Sequence, residues 1–191
     1  MHFKQSNTCI TAITLIVAAL GVGGCASAAK PEAMIVTAQT ADKPFPHPLT
    51  HAMCVRSVSG GEKTNALWVS RVDDDGFRSA LSSSLASAGL NAASNACPYP
   101  IDVNLLGLSQ PMMGFDMTVT AHVNYKVYDS KAQPLGLWTI DSPFTATMKD
   151  AFVGVERLRL ANEGAIRTSI QSFFDKLKDA QLAAATASAA P

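Results

Sequence analysis

The chain predicts an α+β fold, a two-layer sandwich in which a mixed four-stranded sheet carries two helices on one face, in the order β-α-β-β-β-α. Three observations carry this. Residues 119–127 alternate strictly between apolar and polar side chains, the period of a strand with one buried face. Two other stretches, residues 73–89 and 155–177, repeat apolar residues at helical spacing. Shorter strand-like runs lie between and beside them, and a helix apolar along a single stripe has to cover a sheet.

The first element is a strand over residues 52–58. Residues 60–68 form a long polar loop that ends on Leu67 and Trp68. A helix follows: Asp73, Asp74 or Asp75 can cap its N-terminus and complement its dipole, Phe77, Leu81, Leu85 and Ala88 share a face, and Gly89 suits its C-terminal stop. The acidic run lacks the alternate spacing and distal glutamate of a calcium loop, so it reads as a cap. A second strand covers residues 101–108. In the third, Val119, Ala121, Val123, Tyr125 and Val127 point one way and Thr118, Thr120, His122, Asn124 and Lys126 the other.

Residues 129–136 form a polar turn, and a fourth strand covers residues 137–148. Pro143 removes a ladder donor there, which marks an edge strand or a bulge. The closing helix spans residues 155–177. Leu158, Ile166, Ile170, Phe173 and Leu177 make its apolar stripe, Ala161 and Ala165 lie alongside, and Arg159, Glu163 and Arg167 form a charged ladder on its exposed side. The Ala-rich residues 181–191 read as a disordered tail.

The start of the chain is an export signal. Lys4 supplies a positive start, residues 10–22 are apolar apart from small threonines, and the run is shorter than the roughly 20 residues a membrane-spanning helix needs. Val22-Gly23-Gly24-Cys25 resembles the lipobox of bacterial lipoproteins, with glycine at minus two as a departure. The resemblance implies cleavage after Gly24 and acylation of Cys25, and Ala26-Ser27 in place of an aspartate after the cysteine implies sorting to the outer membrane. The domains expected are therefore a signal over 1–24, a lipidated Cys25 with a flexible tether over 25–50, one α+β domain over 51–180 and a tail over 181–191. A flexible tether of that length has a root-mean-square reach of roughly 27 Å, which stands the domain off the bilayer.

Cleavage of 24 of the 191 residues leaves enough chain for one core. Lys4 is lost with them, so the 15 basic residues fall to 14 against 15 acidic, a formal charge of −1. That balance argues against a nucleic-acid partner. Cys9 goes with the signal and Cys25 is the anchor, leaving Cys54 and Cys97, for which an exported protein favours a disulfide over a metal site. If the first helix makes the usual right-handed crossover, the first two strands are parallel and both cysteines sit at one end of the sheet. Antiparallel strands would separate them by a strand length of roughly 16 Å, beyond the approximately 7 Å between α-carbons that a bridge allows.

The segments 60–65 (Gly-Gly-Glu-Lys-Thr-Asn), Leu67-Trp68, 116–120 (Asp-Met-Thr-Val-Thr) and 155–167 together resemble a family of small proteobacterial outer-membrane lipoproteins of unassigned role, over most of residues 50–178. The element order is also similar to LptE-like and YajG-like envelope lipoproteins. The resemblance implies a fold and a location, and fold does not carry function.

No catalytic residues, metal ligands or cofactor site are expected. His47 and His51 have no completing ligand other than Cys54, His122 has no nucleophile or carboxylate placed beside it in sequence, and the carboxylates are spread over caps, turns and surface. The candidate interaction surface is the sheet end opposite the cysteines, where loops carrying Trp68, Met112, Met113, Phe115 and Phe152 converge. Two readings of those residues stand open, a contact surface or a cap on the core. With the tether entering at the cysteine end, the apolar loops should face away from the anchoring membrane. The function expected is a non-catalytic accessory subunit of an envelope complex with a protein partner; the alternative is a lipid- or glycan-binding module.

Overall fold

The computed structural model describes residues 26–37, 45, 47–64, 70–93 and 97–188, the last eight of these by backbone alone. It contains a short helix α1 (Pro31–Met34), strand β1 (Met53–Ser59), helix α2 (Asp74–Ser87), strands β2 (Tyr99–Ser109), β3 (Met117–Tyr128) and β4 (Pro134–Ala146), and helix α3 (Gly154–Ser188). The sheet order is β1-β2-β3-β4, with β1 parallel to β2 and the other pairs antiparallel. This is the α+β sandwich with a mixed sheet that the periodicities imply. Pro143 lies in the edge strand β4, paired only to Thr120 of β3.

Two boundaries move. The turn before β4 is tighter than residues 129–136, because the Asp129 carboxylate accepts from the backbone N–H of Lys131 and Gln133, each at 2.8 Å, and lets pairing resume at Pro134. At the other end, α3 continues to Ser188 where a disordered tail is expected from residue 181. Alanine is the strongest helix former, and no Gly or Pro interrupts this run.

The core lies between the sheet and the pair α2 and α3. All six inward residues of β3, Met117 and the five read from alternation, are buried, as are Ile101, Val103 and Leu105 of β2 and Phe77, Leu81 and Leu85 of α2. From α3 come Leu158, Ile166, Ile170, Phe173 and Leu177, the stripe read from spacing, with Ala161 and Ala165 alongside. Tyr125 is at the centre. Its ring stacks on Phe173 at 4.3 Å and meets Phe77 edge-on at 6.4 Å, and its hydroxyl bonds Ser169 at 3.0 Å. Burial pushes its hydroxyl pKa up, so the O–H remains a hydrogen-bonding group.

Asp73 caps α2 by accepting from the Gly76 N–H at 2.7 Å. Gly89, at φ +68°, closes it: its N–H reaches the Ala86 carbonyl and that of Leu90 the Leu85 carbonyl, the paired bonds of a Schellman motif. The chain then returns into β2, and Cys54 and Cys97 join in a disulfide with α-carbons 5.9 Å apart. The parallel pairing and the bridge support each other, since only strands starting at one end bring these residues together.

The tether does not have the form expected. Residues 26–37 pack into the domain: Ala26, Met34 and Val36 are buried, and α1 lies between α2 and α3. Met34 and Leu49 are part of the core, and Phe45 meets Phe174 edge-on at 5.5 Å. The charged ladder of α3 is covered rather than exposed. Arg159 and Glu163 are buried as an ion pair, and the Lys30 N–H donates to Glu163 Oε1 at 2.8 Å. Arg167 donates to the Ala33 carbonyl at 2.6 Å, and the Val36 N–H donates to the Ser84 hydroxyl at 2.9 Å. What reads in isolation as a solvent-facing ladder is the docking strip for a strap of the same chain that carries α1, whose Lys30 N–H and Ala33 carbonyl it satisfies.

Candidate functional site

The loops spanning residues 110–116 and 147–153 leave the sheet at the end opposite the disulfide. Arg157, in the first turn of α3, ties them together. Its buried guanidinium donates through Nη1 to the carbonyls of Ala151 at 2.9 Å and Phe152 at 2.6 Å, and through Nη2 to that of Gly114 at 3.5 Å. With the backbones held, the large side chains turn outward: Met112 is 99 % exposed, Met113 88 %, Phe115 80 % and Phe152 83 %. These four do not cap the core. The fifth member of the expected surface, Trp68, lies outside the described residues, as does Cys25.

The same end receives the strap. Gln110 Nε2 donates to the Ser70 carbonyl at 3.1 Å and to Asn162 Oδ1 at 2.7 Å, while Asn162 Nδ2 donates to Ser70 at 2.9 Å. The next carbonyl, of Arg71, accepts from the Ala29 N–H at 3.2 Å. From there the strap runs toward the disulfide end: Lys30 meets Glu163, Ala33 meets Arg167 one turn further along α3, and Val36 reaches Ser84 near the end of α2. The chain therefore enters the domain at the apolar-loop end. This overturns the expectation that the tether enters at the cysteine end with the apolar loops directed away, because that expectation treated residues 26–50 as unpacked.

Among the described residues no helix covers the outer face of the sheet. Its polar residues pair across strands. Arg56 donates to Asp102 through Nε at 2.9 Å, Ser57 Oγ donates to the same carboxylate at 2.6 Å, and the guanidinium lies 4.3 Å from the Tyr128 ring centroid. These bonds, the one from Arg56 above all, hold the Asp102 carboxyl well below its ordinary range, at about 2, and raise the Arg56 pKa in turn. Leu106, Leu135 and Leu137 stand exposed among the polar residues.

His122 is not isolated, contrary to the reading from sequence. Its Nδ1 lies 2.7 Å from Asp141, directly opposite on β4, and its Nε2 lies 2.9 Å from Ser109 Oγ on β2. Strand pairing brings together residues far apart in sequence, a juxtaposition that needed the β3–β4 register to find. The atoms follow the order of a serine-hydrolase triad. However, Asp141 is 64 % exposed, the row lies on an open face, and neither cleft described below reaches Ser109. Acyl transfer also needs preorganised oxyanion donors and a place for substrate. The row satisfies cross-strand polar groups.

An open cleft of about 420 Å³ lies where the strap crosses α3, lined by Ile35, Val36, Thr37, Arg167, Thr168 and Gln171. A much smaller one, about 10 Å³, lies beside Gly60 and Leu105. Among the described residues no three His, Cys, Asp or Glu side chains group as metal ligands, and His47 and His51 are both exposed.

No protein-family model matches the chain, and no curated protein matches it by sequence. Solved structures do share its shape. A Xanthomonas campestris protein of family DUF330 superposes with a TM-score of 0.60 at 10% identity, covering 84% of this chain and 99% of its own. A candidate lipoprotein from Caulobacter crescentus aligns at 0.49 and 13% identity, covering 73% and 95% respectively. A hypothetical protein of Chlamydia trachomatis gives 0.49 at 10% identity, covering 66% and 95%. The likeness to the Xanthomonas protein is one of fold: the same sandwich, built from a different sequence.

Proposed function

We propose that the chain is a lipoprotein acylated at Cys25, held on the outer membrane with its domain in the periplasm, and that it acts as a non-catalytic accessory or interaction subunit of an envelope complex. The lipobox-like Val22-Gly23-Gly24-Cys25 supports the anchor. The observation that carries the interaction role is β4. It is a 13-residue strand at the sheet edge whose uncovered face carries Leu135 and Leu137. An edge strand presents unpaired backbone donors and acceptors, and an apolar side chain beside them gives a partner strand something to bury.

A photo-crosslinking residue at position 137, in intact cells, should trap one discrete protein, and Leu137→Glu should release that protein from the complex after mild solubilisation. A chain that runs as a monomer in both forms would refute the reading. The cleft beside the strap supports a second reading, a lipid- or glycan-binding module. Native mass spectrometry of protein extracted from membranes separates the two, since the module should retain a ligand that Arg167→Ala loses.

A further inference from the structure

Two features at one end of the molecule have no role in the reading above, the four exposed apolar side chains and the entry point of the chain. We propose that the loops spanning residues 110–116 and 147–153 dock into the same bilayer that carries the acyl chains of Cys25, so that the domain sits directly on the membrane surface, end-on. This rests on the acylation of Cys25 proposed above.

The argument begins with length. A free tether of 25 residues would allow the domain to hang at any orientation. Here the first residue after Cys25 is already 5 % exposed, and Ala29, three residues on, is hydrogen-bonded to Arg71. Four residues span at most about 14 Å, so the anchor leaves the domain within that distance of Ala29. Arg71 adjoins Ser70, and Ser70 is bonded to Gln110, two residues before Met112. Acyl chains buried in the leaflet therefore hold the apolar loops at the headgroup level.

Shape fits the same occupant. Met112, Met113, Phe115 and Phe152 protrude singly from two loops and are 80 to 99 % exposed. Protruding unbranched and aromatic side chains suit a fluid, apolar phase that closes around them. Amphipathic elements bury their apolar side about 5–10 Å into the headgroup and acyl boundary, a depth these side chains can reach. Arg157 keeps the loop backbones hydrogen-bonded, which matters because an unpaired carbonyl is costly to bring into an apolar phase. The orientation leaves the open sheet face and the β4 edge standing perpendicular to the membrane, free for a partner.

The test uses the full-length protein, processed in cells and reconstituted into phosphatidylethanolamine:phosphatidylglycerol vesicles containing brominated acyl chains. Met113→Trp should add blue-shifted fluorescence that brominated lipid quenches, measured as the gain over the parent protein, while Leu137→Trp should add fluorescence that lipid does not quench. Phe115→Ser with Phe152→Ser, added to Met113→Trp, should abolish most of that quenching without lowering the melting temperature. Equal quenching at positions 113 and 137, or none at 113 in acylated protein, would overturn the proposal. The acyl mass on Cys25 is read separately by mass spectrometry. Its absence together with quenching at 113 overturns the anchor and leaves the docking surface standing; its presence without quenching does the reverse.

Discussion

Gly164, in the interior of α3, allows a prediction whose sign is decided by packing. On propensity alone Gly164→Ala should stabilise the helix by roughly 1 kcal/mol, since glycine is about that much poorer than alanine there. The structure places the Phe144 ring against this position. An ideal Cβ on residue 164 would lie 2.1 Å from Phe144 Cδ1, 2.3 Å from Cγ and 2.4 Å from Cε1. Carbon atoms rest about 3.5–4.0 Å apart, so helix and strand would have to separate by more than an ångström, or the ring would have to leave its site. The ring is held on another side by the Arg167 guanidinium, 5.5 Å from its centroid. Overpacking of this kind costs about 1–3 kcal/mol. The net expectation is a loss of up to about 2 kcal/mol, or up to about 8 °C in melting temperature for a domain of this size. Differential scanning calorimetry of Gly164→Ala, Phe144→Leu and the double variant completes a cycle in which the glycine substitution becomes neutral or favourable once the ring is gone. A rise in melting temperature for Gly164→Ala alone would refute the close approach of α3 to β4.

Three further outcomes are expected. Met34→Ala should lower stability by about 2–5 kcal/mol in chemical denaturation, the cost of emptying a core position, because Met34 is fully buried although it lies in the strap; a loss under about 0.5 kcal/mol would return residues 26–37 to the status of a tether. Replacing both Cys54 and Cys97 with Ala should cost on the order of 4 kcal/mol by the chain-entropy model for a closure of 43 residues, and non-reducing mass spectrometry should show the native pair oxidised. The Asp102 carboxyl, held at about 2 by Arg56 and Ser57, gives the native state an advantage that is complete above the ordinary carboxyl pKa near 4 and lost as pH falls toward 2. Arg56→Gln should therefore flatten the acid limb of stability between about pH 4 and pH 2 and raise the Asp102 midpoint seen by carboxyl NMR; an unmoved midpoint would show that the pair does not form in solution.

The candidate site was legible in part. Met112, Met113 and Phe115 stand out in sequence because a hairpin turn of large apolar residues is out of place in water, Phe152 lies in the apolar link before the last helix, and the structure finds all four exposed. The row Ser109, His122 and Asp141 was not legible. Its members come from three strands, and their meeting depends on a register in which His122 faces Asp141 and on the bulge at Leu106 that shifts β2 against β3. Residue spacing within one strand carries no information about either.

Local periodicity was enough to determine the elements, the inward face of β3 and the stripe on α3, because strand and helix each impose a fixed repeat on which side chains leave water. A helical crossover between the first two strands made them parallel, and so placed Cys54 and Cys97, the pair that cysteine count in an exported chain singles out, at one end of the sheet. The fate of residues 26–37 and of the ladder Arg159, Glu163 and Arg167 was decided only by tertiary structure. A short Ala- and Pro-containing segment has no periodicity of its own, and a charged stripe facing solvent has the same spacing as one satisfied by another segment's backbone. Only the packed chain distinguishes them, and that packing sets which end of the domain lies next to Cys25.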